Sequence, residues 1–133
     1  MTLNASTNLE VNGGAGNDTL NIISNNNTNI AAGAGDDNIK VSGTGNNIEA
    51  GSGNNSITLN AGNNTIIAGD GNNSFKVGSD NNTITAGNGK NNIGISGSGN
   101  TLTSGNSSGT VNINGDNNDV KLLDGKNNIV ING

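Results

Sequence analysis

The chain has 133 residues, a length suited to one domain, with ten acids, five lysines and a net charge of −5. It has no cysteine, histidine or proline, which excludes a disulfide framework, thiolate chemistry, and the commonest general base and transition-metal ligand. The lysines form no clustered basic face and no apolar run approaches the length of a membrane span, so neither nucleic-acid binding nor membrane insertion is expected.

Residues 1–8 carry neither the basic nor the apolar region of a signal peptide, so export would use another route or a part of a longer protein. Residues 1–13 are expected to form an N-terminal strand or cap, with Leu9 and Val11 in strand phase, ahead of a repeat filling 14–133. That repeat begins with GGAGNDTLN, from Gly13 to Asn21. From Gly33 to Ile131 a nine-residue phrase recurs without insertion or deletion, as in GAGDDNIKV, SGTGNNIEA and GSGNNSITL. Gly14–Ile22 is an earlier copy, and Ile23–Ala32 is a copy of ten residues. Only 29% of the residues are hydrophobic, which alone would suggest a linker. A linker, however, does not hold Ile or Leu at one phase through successive units, and fixed periodicity outweighs composition.

With Gly33 as position 1, position 7 holds Leu20, Ile30, Ile39, Ile48, Ile57, Ile66, Phe75, Ile84, Ile93, Leu102, Val111, Val120 and Ile129. Position 9 alternates large and small, from Ile22 and Ala32 to Ile95 and Ser104, until Leu122 breaks the rule. Two residues separate these positions, the period of a strand with one buried face. Positions 1 to 4 are rich in Gly, Ser, Asn and Asp, which supply positive φ and local hydrogen bonds in turns. The predicted fold is all-β: a parallel β-solenoid (β-roll) of two facing sheets, with 18 residues per coil built from two nonapeptides. Residues 14–133 would make about six and a half coils. Large residues at position 9 of one sheet would meet small ones of the other.

Position 5 points inward by the same alternation and holds Asp37, Asn46, Asn55, Asn64, Asn73, Asn82, Asn91, Asn100, Gly109, Asn118 and Asn127. An asparagine there can bond the amide of its counterpart one coil above and below, so these asparagines are the predicted structural ladder. Other acids, among them Asp70, Asp80, Asp116, Asp119 and Asp124, fall at other phases and read as solvated turn residues.

GGAGNDTLN matches the GGxGxDxUx nonapeptide of the RTX (repeats-in-toxin) family, and AGAGDDNIK, from Ala32 to Lys40, nearly does. The chain resembles that family from Gly13 to Ile131. The resemblance implies a calcium-bound parallel β-roll, a secretion and folding module of exported bacterial proteins, and hence an extracellular or cell-surface location. The family's calcium-binding aspartate corresponds to Asp18 and Asp37, and to Asn or Gly in later copies. The resemblance therefore implies one calcium ion near the N-terminal coils, at Asp18 and Asp37. Replacing stacked aspartates by asparagine removes the repulsion that calcium would otherwise neutralise, so folding largely independent of calcium is expected. A second likeness is smaller: Asn63–Ile66 and Asn81–Ile84 are similar to phrases of the perennial ryegrass antifreeze protein, a β-solenoid with shorter half-coils.

Catalysis is not expected. Glu10 and Glu49, the two glutamates, sit in unrelated phases, and no pair of carboxylates has environments that would separate their roles. The leading expectation is a rigid structural or secretion-associated module. The alternative is an ice-binding solenoid using outward Thr65, Thr83, Thr85, Thr101 and Thr103. End-to-end self-association is expected through the C-terminal coil, where Val130 and Ile131 lie in a strand without a partner in the sequence.

Overall fold

A computed structural model describes residues 2–3, 9–23 and 27–133. Among them lie β1 (Thr2–Leu3), β2 (Glu10–Asn12), β3 (Thr19–Ile22), β4 (Asn29–Ala31), β5 (Asn38–Val41), β6 (Asn47–Gly51), β7 (Ser56–Leu59) and β8 (Thr65–Ala68). They continue as β9 (Ser74–Val77), β10 (Thr83–Ala86), β11 (Asn92–Ile95), β12 (Thr101–Ser104), β13 (Thr110–Ile113), β14 (Asp119–Leu122) and β15 (Asn128–Ile131). Odd strands form an eight-stranded sheet and even strands a seven-stranded sheet, each in sequence order. Every neighbouring pair is parallel, as in β5 with β7 and β10 with β12. The result is the β-solenoid that the period predicts, with about 18 residues per turn and about seven turns.

The coil length is not uniform at the start. From β4 onward strands pair 18 residues apart, as Asn29 with Asn47, apart from a register shift at Glu49/Gly51 that pairs Gly51 with Ala68, whereas Glu10 pairs with Asn29 and Thr19 with Asn38 at a spacing of 19. Those two pairings place the extra residue of the ten-residue copy between Ile22 and Asn29. Thr2 pairs with Asn21, also 19 apart. β1 and β2 are thus the terminal strands of the two sheets.

Alternation along each strand builds the core. β5, β8, β9 and β10 all bury their second and fourth residues and expose the first and third. Positions 7 and 9 from both sheets join one apolar cluster. Position 9 sorts by sheet. Ile22, Val41, Leu59, Val77, Ile95 and Ile113 lie in the odd-stranded sheet, and Ala32, Ala50, Ala68, Ala86 and Ser104 on the even-stranded side, all buried. Each large side chain so buried contributes about 1.5–3 kcal/mol, and with Phe75 the one aromatic in the core this repeated aliphatic contact is the main apolar term. Leu122, which breaks the rule, sits only half-buried on the last even strand.

The two edges turn differently. Before odd strands, glycines such as Gly53 take positive φ (121°), and a Cβ there would stand 2.7 Å from the Gly35 carbonyl carbon of the previous coil. Before even strands, Asn63, Asn81 and Asn117 adopt the left-handed conformation with φ of 55–59°, which asparagine tolerates better than most residues. The eighteen-residue unit therefore has unlike turns as well as unlike core residues.

Candidate functional site

The interior corners of the coil carry the polar chemistry. At each corner one side chain points inward where turn becomes strand, and Asn46, Asn55, Asn64, Asn73, Asn82, Asn91 and Asn100 are all buried there. Their carboxamides do not bond one another. Except at Asn91, the backbone N–H of each donates to Oδ1 of the position-5 residue one coil later: Asn46 to Asn64 at 2.8 Å, Asn55 to Asn73 at 3.0 Å, Asn64 to Asn82 at 2.9 Å. The series continues from Asn73 to Asn91 at 3.0 Å, from Asn82 to Asn100 at 2.7 Å and from Asn100 to Asn118 at 2.8 Å. Nδ2 turns back into its own turn. Asn73 Nδ2 donates to the carbonyls of Gly69 (3.0 Å) and Gly71 (3.3 Å), Asn64 Nδ2 to Ala61 (2.9 Å) and Asn91 Nδ2 to Gly87 (2.7 Å). Each asparagine thus satisfies a main-chain donor of one coil and main-chain acceptors of its own.

The column preceding odd strands changes at both ends. Asp37 is buried, and its Oδ1 accepts from the Asp18 N–H at 2.8 Å while its own N–H donates to Asn55 Oδ1 at 2.9 Å. It therefore fills a ladder position, but Oδ2 replaces the donating Nδ2. Both Asp37 Oδ2 and Asp18 Oδ2 are buried without a hydrogen-bond partner. A Cβ on Gly13 would stand 2.9 Å from Asp18 Oδ2 and collide with the Ala32 carbonyl oxygen, so only glycine leaves that space open. At the other end Gly109 interrupts the ladder. Its N–H turns to Ser107 Oγ at 3.3 Å, the Asn91 N–H donates to Gly89 instead, and Asn127 Oδ1 is left buried without a partner. Asn118 and Asn127 are both half-buried.

These features bear on calcium, which takes several oxygen ligands including carboxylates. The partnerless carboxylate oxygens of Asp18 and Asp37, on successive coils of one edge, fit a cation. The asparagine corners do not: Oδ1 already accepts a main-chain N–H, and Nδ2 presents a donor to carbonyls that a cation would need. Among the described residues no three of His, Cys, Asp or Glu gather as a metal group, so any ion at Asp18 and Asp37 would draw further ligands from main-chain oxygens.

Outside the corner a second set of ladders runs with opposite polarity, and the sequence reading missed it. The Asp36 N–H donates to Asn17 Oδ1 (2.9 Å), Asn54 to Asp36 Oδ1 (2.7 Å), Asn72 to Asn54 Oδ1 (2.9 Å) and Lys90 to Asn72 Oδ1 (2.8 Å). Here the earlier coil supplies the acceptor. Asp70 and Asp80, expected to be merely solvated, belong to this set: they are exposed, yet accept the N–H groups of Asn88 and Ser98 at 2.8 and 2.7 Å. Asp119 is not a turn residue at all but opens β14. The turn-residue columns at 18-residue spacing carried the signal. Main-chain donors left free by the strand ladder need acceptors, and short Asx side chains stacked about 4.8 Å apart reach them.

The threonines lie elsewhere. Thr65, Thr83 and Thr101 pair in register along the outer face of the even-stranded sheet, and Thr85 and Thr103 form a second column that continues to Ile67. Glu49 and Lys121 flank that column on adjacent strands.

In comparison with known families, the model of the RTX calcium-binding nonapeptide repeat (4 copies) matches residues 10–21, 41–75 and 67–102, more than half of the chain. No curated protein and no solved structure matches it.

Proposed function

Because the chain belongs to the RTX calcium-binding nonapeptide repeat family, we propose that this structural β-roll serves as a rigid module of an exported or surface protein, with coils held together largely without calcium. The observation that carries this reading is the inner ladder. At the Asp18–Asp37 end the corner offers carboxylate oxygens without partners, whereas from Asn55 to Asn91 it offers carboxamides whose donors and acceptors are mostly engaged. A neutral carboxamide supplies the hydrogens that bridge turn carbonyls, the role that a cation would take in a stack of aspartates. Export and surface location are supported by family membership. The family is a structural repeat rather than a catalytic one.

Calcium titration calorimetry tests the proposal. One calcium ion, or at most about two given the carboxylates available, should bind per chain, and Asp37→Asn should abolish the tighter site while leaving the fold intact. Five or more equivalent sites would overturn the reading, because turn carbonyls alone would then suffice to hold the ion.

A further inference from the structure

Four asparagines of the chain directly precede glycine: Asn12, Asn88, Asn114 and Asn132. Asparagine is chemically labile there, because a glycine that follows leaves its own main-chain nitrogen free to reach the carboxamide carbon. In deamidation that nitrogen attacks Cγ. The new N–Cγ bond forms, the Cγ–Nδ2 bond breaks, and Nδ2 leaves with the amide proton as ammonia. Water then opens the cyclic imide at either carbonyl, giving aspartate or isoaspartate. The sum is one water consumed and one ammonia released, without oxidation or reduction.

The stack of coils treats these four pairs unequally. The Gly13 N–H donates to the Ala31 carbonyl at 2.8 Å, and the Gly89 N–H to the Asn106 carbonyl at 3.1 Å. Asn88 is itself held firmly: its N–H and Nδ2 donate to Asp70 Oδ1 at 2.8 and 3.0 Å, and its Oδ1 accepts the Asn106 N–H at 2.9 Å. Asn114 instead opens the turn before β14. It is exposed, and among the described residues the Gly115 N–H meets no acceptor. Its carboxamide is held by one exposed side chain, Asn132, whose Nδ2 donates to Asn114 Oδ1 at 2.9 Å. Asn132–Gly133 repeats the phase of Asn114–Gly115 one coil later.

We propose that Asn114 is a site of spontaneous deamidation, selected by the hydrogen bonds of the stack, and that isoaspartate there loosens the last coils. Isoaspartate lengthens the main chain by one carbon ahead of Gly115. The Gly115 carbonyl accepts from Asn118 Nδ2 at 2.8 Å, while Asn118 Oδ1 accepts the Asn100 N–H at 2.8 Å. Displacing Gly115 therefore pulls on the inner ladder where it reaches β14. Asp18 and Asp37 take no part, so the site stands whether or not calcium binds there.

Peptide mapping by mass spectrometry tests the proposal on the full chain, incubated in mildly alkaline buffer either folded or in denaturant. In the folded chain Asn114 should deamidate about tenfold faster than Asn12 and Asn88, the factor expected for one net main-chain hydrogen bond. In denaturant the three rates should converge. Asn12 or Asn88 keeping pace with Asn114 in the folded chain would overturn the selection by hydrogen bonds. Hydrogen exchange tests the consequence. Chains carrying isoaspartate at 114 should lose protection at the Asn100 and Asp119 amides, whereas Asn114→Asp, which adds the charge alone, should keep it. Equal protection in the two would overturn the loosening of the last coils.

Discussion

A single asparagine at position 5 closes three open ends of main chain, and its replacement exposes all three. Asn73 accepts the Asn55 N–H and donates to the Gly69 and Gly71 carbonyls. Asn73→Leu strands these buried groups at about 1–3 kcal/mol for each left unsatisfied, so a loss of several kcal/mol is expected in chemical denaturation. Asn127, whose Oδ1 has no partner because Gly109 interrupts the column, should tolerate Leu at a cost of less than about 1 kcal/mol. Equal losses at the two positions would contradict the ladder. The phase of position 5 was legible in the sequence, because alternation from the apolar positions fixes which way it points. The direction of the bonds was not. Whether Oδ1 meets a side chain or a backbone N–H depends on the rotamer, which the stacking of coils decides rather than the nonapeptide itself.

Among strands and turns, the corner column is the element on which metal dependence turns. Asn55 follows Asp18 and Asp37 on the same edge, and its N–H and carboxamide join both neighbours. Asn55→Asp should keep the Oδ1 ladder bond while replacing the Nδ2 donation to Gly51 and Gly53 by an unpartnered oxygen. Melting in chelator should then fall by an amount equivalent to about 1–3 kcal/mol, and calcium should raise the variant's Tm by more than the natural chain's. A Tm indifferent to calcium in both proteins would contradict this account of Asp37. The strands themselves were readable from the two-residue spacing of the apolar positions, and the sorting of large and small residues at position 9 from its alternation between successive nonapeptides. The outer ladders through Asp36, Asp70 and Asp80 were not, since exposed Asx residues in turns look alike until coils are stacked.

For the whole molecule, the architecture is a stack in which each coil rests on its neighbours, so a contribution repeated at every level decides whether the chain folds. Three such contributions run most of its length: the aliphatic core, the inner ladder and the outer ladders. All three are built from protein groups, and among the described residues the buried carboxylate oxygens without partners lie at the Asp18–Asp37 corner. The 19-residue spacings near the start, the register shift at Glu49/Gly51 in β6 and Gly109 near the end leave β7 to β12 as the most regular part. The central claim is that this stack folds without metal. Far-UV circular dichroism in excess chelator, followed through a thermal melt, tests it most directly. The account predicts a β spectrum and a cooperative transition with calcium removed, whereas a coil-like spectrum that converts to β only on adding calcium would contradict it.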